Sequence, residues 1–427
     1  MEIYVVQPGD TLTSIAQKYN ITTDKLINDN GIKIPYQLVV GQTLVIVYPE
    51  QVYIVKEGDT LGGIAESHGV TVVQLLKNNP WLSSRQYIYP GETIVISFNN
   101  NLGTVLTAGY TYPYIRNETL KMTLPYLTYL LIFNYTVTSS GEFLGGDEDI
   151  AVIETALLYG TESTMVVTAF SQTGEIRLPA VFALLGSEQL QDEIIMEILL
   201  ILREKGYEGV NLAFQFIREA TQQLYLNFLK KVADSLHPEG YSVFLTINPG
   251  LSYNGTEVTF ERINYSSFSD IADGILFLSY DWATIDRPPV PISIITESSL
   301  LDYIVAQVPL EKIRIEVPTL GYDWQLPYVE GRTKANALNF DSVLALAGEA
   351  GATIQYDENS LSAYFNYADI DGRQHIVWFK DARSIDSSIK ILQSYGIKGI
   401  GIWNIMNFFS QLWLVINTQY QIETENP

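Results

Sequence analysis

From residue 102 onward, short apolar segments of strand character alternate with longer segments of helical period. Strand-like runs fall at 105–110, 129–133, 165–169, 209–215, 242–247, 274–279, 313–317 and 399–403, with helix-period stretches such as 192–205 and 224–236 between them. Apolar strands separated by helices pack as a parallel sheet with the helices outside. Eight such units close on themselves as a (β/α)8 TIM barrel. One interval is too long for a single unit. Between 328 and 385, alternating runs at 354–357, 363–367 and 377–379 predict a small α+β insertion ahead of the eighth strand.

Ahead of the barrel the chain repeats itself. Residues 4–12 read Tyr-Val-Val-Gln-Pro-Gly-Asp-Thr-Leu and residues 53–61 read Tyr-Ile-Val-Lys-Glu-Gly-Asp-Thr-Leu. The match continues through Ile15-Ala16 with Ile64-Ala65, Leu26-Ile27 with Leu75-Leu76, and Gly41-Gln42-Thr43-Leu44 with Gly91-Glu92-Thr93-Ile94. Each copy predicts a βααβ module: strand, tight turn, two helices, loop, closing strand. Thr11 and Thr60 stand where helix N-caps belong. The modules occupy 1–48 and 51–98, and Asn99-Asn100-Asn101 marks the passage to the barrel at 102–427.

Composition narrows the partners. With 25 basic against 48 acidic residues the net charge is −23, which disfavours nucleic acid and anionic membrane surfaces. No apolar run approaches a membrane span. Met1 leads directly into the strand-like Ile3-Tyr4-Val5-Val6, with no signal-peptide pattern, so synthesis in the cytoplasm is expected. The absence of cysteine excludes disulfides and thiolate metal sites, and the three histidines, His68, His237 and His375, are scattered; no metal or cofactor is expected.

The predicted fourth barrel strand carries the chemistry. In 206–217 the alternation puts Leu212, Phe214 and Phe216 on one face and Asn211, Ala213 and Gln215 on the other. A half-polar strand in an apolar region marks a site, because barrel strands carry their functional groups at their C-terminal ends.

This strand resembles that of glycoside hydrolase family 18, the chitinase-like family, whose signature is D-x-x-D-x-D-x-E. The window here is Glu208-Gly209-Val210-Asn211-Leu212-Ala213-Phe214-Gln215. Spacing, glycine and apolar positions agree; Ala213 replaces the third aspartate and Gln215 the general-acid glutamate. The family is a substrate-assisted exception to two-carboxylate glycoside hydrolysis. The resemblance implies that the sugar's own acetamido oxygen attacks the anomeric carbon while the glutamate protonates the leaving oxygen. A glutamine amide has no acidic proton to give. General acid–base catalysis is worth roughly two to four orders of magnitude in rate. The expectation is therefore a barrel that binds glycan without cleaving it.

Other positions fit the same family. Tyr280 and Asp281 match its acetamido-contacting pair after the sixth strand, and Trp403 its tryptophan floor under the cleaved sugar. Tyr322, Asp323 and Trp324 match its spore-associated branch, whereas Glu316 and Leu320 depart from it. The terminal repeats resemble LysM modules, which bind N-acetylglucosamine-containing glycans such as peptidoglycan and chitooligosaccharides. The resemblance places the sugar groove between Gly9-Asp10-Thr11-Leu12 and the loop after Asn30 in the first module. In the second it lies between Gly58-Asp59-Thr60-Leu61 and the loop starting at Asn79 and Trp81. Asp10 and Asp59 serve equally as helix-start residues. Two LysM modules followed by such a barrel resemble the cortical-fragment-lytic N-acetylglucosaminidases of spore-forming bacteria. Three functions follow: a catalytically silent glycan binder of the spore or cell wall, an active N-acetylglucosaminidase with its acid relocated to Glu316 or Asp281, or a structural coat component held by other coat proteins.

Overall fold

The computed structural model describes the chain except for residues 34–36, 139, 169–177, 214–216, 251, 254–257, 279–293, 330–331 and 424–427. Eight parallel strands form the barrel: β1 (Thr104–Thr111), β2 (Tyr129–Val137), β3 (Glu162–Thr168), β4 (Gly209–Ala213), β5 (Ser242–Ile247), β6 (Gly274–Phe277), β7 (Ile313–Pro318) and β8 (Gly399–Trp403). They neighbour one another in chain order. The ring closes where Gly399 to Ile402 of β8 pair with Leu106 to Gly109 of β1, and where Ala108 to Thr111 pair with Tyr129 to Ile132.

Strand alternation divides the side chains into two cores. Leu130, Ile132, Val210, Leu212, Ile275, Phe277, Ile313, Ile315, Val317, Ile400 and Ile402 point outward and join the main hydrophobic core beneath the helices. The opposite parity fills the lumen with Ala108, Tyr110, Tyr129, Leu131, Phe133, Val166, Ala213, Phe244, Leu276 and Leu278. The predicted strand faces are therefore those of the fold wherever β4 is described. Gly274 and Gly401 are glycines for want of room: a Cβ would lie 1.9 Å from Arg314 Nη1 at the first and 2.5 Å from Leu276 Cδ1 at the second.

After β7 the chain leaves the barrel. Leu320–Gln325 begins a five-stranded antiparallel sheet with Asn336–Asn339, Gln355–Asp357, Ser362–Ala368 and Gln374–Phe379, and the helix Phe340–Glu349 packs on it. This inserted sheet starts earlier than residue 328 because the Tyr-Asp-Trp segment is its first strand. Ala382–Ser394 then leads back to β8, its N-terminus capped by Asp381 accepting from the Arg383 and Ser384 amides.

Each terminal module has one two-stranded antiparallel sheet, Glu2–Val5 with Thr43–Ile46 and Gln51–Ile54 with Thr93–Ser97. Two short helices lie against each sheet, and Thr11, Thr22, Thr60 and Thr71 cap all four. The modules are joined to the barrel by more than the chain. Val39, Val45, Val47, Val95 and Phe98 belong to the main hydrophobic core. The helix Ser410–Asn417 is the common seat. Its Gln411 accepts from Thr43 Oγ1 and donates to the Thr43 carbonyl, and its Asn417 donates to Asn78 Oδ1. No described helix is long and apolar enough to cross a membrane.

Candidate active site and glycan-binding modules

The polar groups of the lumen lie behind the barrel mouth. Asn211 is 1% exposed, and its Oδ1 accepts from Thr246 Oγ1 at 2.8 Å; Thr246 in turn lies 2.6 Å from the Tyr110 hydroxyl. Burial pushes the Tyr110 phenol up; its contact with Thr246 and the charge of Arg314 oppose that shift, and the negative charge of Glu316 adds to it. Arg314 lies with its guanidinium carbon 5.0 Å from the Tyr129 ring centroid and 4.9 Å from that of Phe244, beside two rings that meet edge to face at 5.3 Å, a setting that a cation favours. Glu316, on the same face of β7, is buried. Strand alternation places it on the lumen side, as it does Glu162 at the N-terminal start of β3.

Trp403 ends β8 half-buried, with its ring edge-on to Tyr110 at 5.1 Å and to Phe133 at 5.2 Å. Its peptide to Asn404 is cis. Its carbonyl accepts from both the amide and hydroxyl of Thr319, which also donates to the Asn404 carbonyl. The unusual segment after β7 thus fastens the tryptophan at the mouth. Ala213 lies in the same aromatic cluster and brings no carboxylate to it.

The other signature positions part company. Glu208 sits at the opposite, N-terminal end of β4, where its Oε2 accepts from the Ser163 amide at 2.8 Å. Gln215, Tyr280 and Asp281 lie outside the described residues.

Three expected sugar contacts in the insertion are otherwise engaged. Trp324 is 1% exposed, so its ring offers no face to a ligand. Tyr322 is likewise buried. Asp323 accepts from the Tyr367 hydroxyl at 3.0 Å and pairs with His375 Nδ1 at 2.9 Å, within the inserted sheet. The physical reason is that both faces of this strand are covered, which period-two reading from one strand does not reveal.

In the modules, Gly9 and Gly58 both have φ of 87°, a left-handed conformation that glycine adopts without strain. The next residue ties the turn. Asp10 accepts from the Tyr4 hydroxyl and the Gln7 amide, and Asp59 from the Lys56 amide and the Tyr53 hydroxyl. These bonds hold both carboxyls below the usual aspartate range. Thr11 and Thr60 cap the following helices, and Leu12 and Leu61 are half-buried against their module cores. Asn79 is not a groove residue. Its amide is 1% exposed and bridges helix to closing strand, donating to the carbonyls of Leu75 and Val95 and accepting from the Val95 amide. Asn30 does the same with Leu26 and Val45.

Sequence reading passed over Tyr110, Thr246, Arg314 and Thr319. A signal existed for one: Ile313-Arg314-Ile315-Glu316-Val317 is an apolar strand with charges at period two, the pattern that singled out β4.

A closed (β/α)8 barrel with an aromatic mouth, carrying two βααβ modules, defines the class as a modular, glycosidase-type barrel. Residues 4–47 and 53–97 match the LysM domain, and residues 179–407 match glycosyl hydrolases family 18. The chain belongs to glycosyl hydrolases family 18, with two LysM domains. It is 32% identical to the cortical fragment-lytic enzyme of Bacillus subtilis (strain 168), over 99% of this chain and 99% of that protein. The protein of the same name from Bacillus anthracis is 33% identical, again over 99% of each. Among solved structures, the Bacillus cereus spore cortex-lytic enzyme SleL superposes with a TM-score of 0.79 at 30% identity, covering 100% of this chain and 99% of that one.

Proposed function

We propose that this chain acts on N-acetylglucosamine-containing glycans of the peptidoglycan or chitin class in a spore wall, with N-acetylglucosaminide hydrolysis as the barrel's reaction. The observation that carries the reading is the likeness, from end to end and with the same order of modules, to relatives named as cortical fragment-lytic enzymes. It outweighs the expectation of a silent barrel as a guide to reaction class. In this reading the leaving oxygen takes its proton from a group other than the Gln215 amide, and Glu316, buried on the lumen face of β7, is the carboxylate we assign to that role.

One observation favours a second reading, in which glycan is held without cleavage. Ala213 puts no carboxylate in the mouth to orient an acetamido group, and Gln215 has no proton to donate. Incubating the intact chain with chitooligosaccharides and cortex muropeptides, while following new reducing ends, separates the two. Release of sugar, lost in Glu316→Gln with binding kept, supports hydrolysis through a relocated acid. Binding without release supports the second reading. Neither binding nor release sinks the proposal.

A further inference from the structure

The two LysM modules share one backbone plan but do not share one environment. The loop before the closing strand is pinned identically in both: the Val39 amide donates to the Gln42 side chain in the first module, and the Tyr89 amide donates to the Glu92 side chain in the second. What covers that loop differs. In the first module Gly41 is buried, and a Cβ there would meet the Ile354 carbonyl oxygen at 1.9 Å; the Val40 carbonyl accepts from the Ile354 amide at 2.9 Å. Gly31 lies against Ser410, and Lys33 pairs with Asp341 at 2.5 Å. This loop is the first module's seat on the barrel.

The matching loop of the second module faces solvent. Gly91 has nothing within 4 Å of a would-be Cβ. Where the first module buries Val39 at 5% exposure, the second presents Tyr89 at 58%, with Tyr87 at 65% beside it. The loop is nonetheless braced by its own side chains. Arg85 pairs with Glu92 at 2.6 Å, and its guanidinium carbon sits 4.7 Å from the centroid of the half-buried Trp81 ring. The second module meets the barrel elsewhere, through its second helix: the Tyr126 hydroxyl donates to the Lys77 carbonyl, and Asn417 holds Asn78.

We infer that the two modules divide their work: the first docks the pair to the barrel, and the second alone takes the N-acetylglucosamine glycan, on the aromatic loop bearing Tyr87 and Tyr89. This rests on the glycan reading above and names which of two equivalent sites serves it. Exposed tyrosines on a braced loop offer apolar ring faces at little cost in conformational entropy, which a pyranose face can cover.

The test is retention of the intact chain on insoluble peptidoglycan, with circular dichroism to confirm folding. Tyr87→Ala with Tyr89→Ala should lower affinity by about tenfold or more, the scale of losing an aromatic anchor. Tyr87→Phe with Tyr89→Phe should keep most of it, since the rings remain. If the intact chain is retained and the alanine pair binds as well, the second module's loop is not the site, while the glycan reading survives. Loss of binding in the phenylalanine pair as deep as in the alanine pair overturns stacking as the mode. An unmodified chain that does not bind at all overturns the glycan reading and this assignment with it.

Discussion

Asp149 has no exposed side-chain surface, yet its carboxylate is charged because its partners outweigh its burial. Burial alone would raise its pKa; hydrogen bonds from Tyr207, Lys205, Asn134 and Tyr135 lower it below the ordinary value. Tyr207 donates at 2.6 Å, Tyr135 at 2.8 Å and Lys205 at 2.9 Å. Removing one member of a buried ion pair costs about 3–5 kcal/mol, so Asp149→Ala should lose stability on that scale at neutral pH. A carboxyl depressed in the folded state stabilises above its unfolded pKa, and that stability is lost as pH falls through the folded value. The gap between wild type and variant in urea unfolding should therefore close below the usual aspartate range; a gap that persists there would show packing, not charge, to be at stake. Nothing in Gly146-Asp147-Glu148-Asp149 marks the last as buried, since three acidic residues in a row read as a solvated loop. Asn211 and Ala213 were legible because strand alternation fixes their face. Their chemistry also makes a prediction: Ala213→Asp with Gln215→Glu should raise sugar release by more than the product of the single changes, because such carboxylates act as one unit. Multiplicative single effects would show that the two positions work separately.

Elements were legible where apolar period and turn chemistry agree. Wherever they are described, all eight barrel strands lie where the sequence pattern put them, and the repeated Gly-Asp-Thr-Leu starts a capped helix twice. What spacing could not show is which polar residue an element turns inward. Asn79 belongs to a helix end beside an aromatic loop and reads as a ligand contact; its three buried hydrogen bonds make it a strut between helix and strand. A buried partner left unsatisfied costs about 1–3 kcal/mol. Asn79→Ala should destabilise the second module by about that amount or somewhat more, and Asn30→Ala the first. Hydrogen exchange at the Val95 and Val45 amides would report it, with faster exchange expected at the mutated module. Unchanged protection would mean that the amide bridge is dispensable.

At the scale of the molecule, the modules and barrel share a core. Val39, Val45, Val47, Val95 and Phe98 are buried in the same hydrophobic cluster as the barrel helices, and Gln411 is 1% exposed beneath the first module. Modules tethered only by a linker would unfold separately from the barrel; modules that complete its core cannot leave without exposing apolar surface and the buried Gln411 amide to water. Each square ångström of apolar surface is worth about 25 cal/mol, so even a modest shared face couples the units by several kcal/mol. Calorimetry of the intact chain should therefore give one cooperative transition for modules and barrel together. A barrel lacking residues 1–98 should melt at a lower temperature and bind an apolar dye that the intact chain does not. Two resolved transitions, the higher one coinciding with the melting of the isolated barrel, would show that the modules add nothing to its stability. That outcome would also remove the reason for the first module's loop to be buried, since a seat that carries no energy would leave the loop free for glycan.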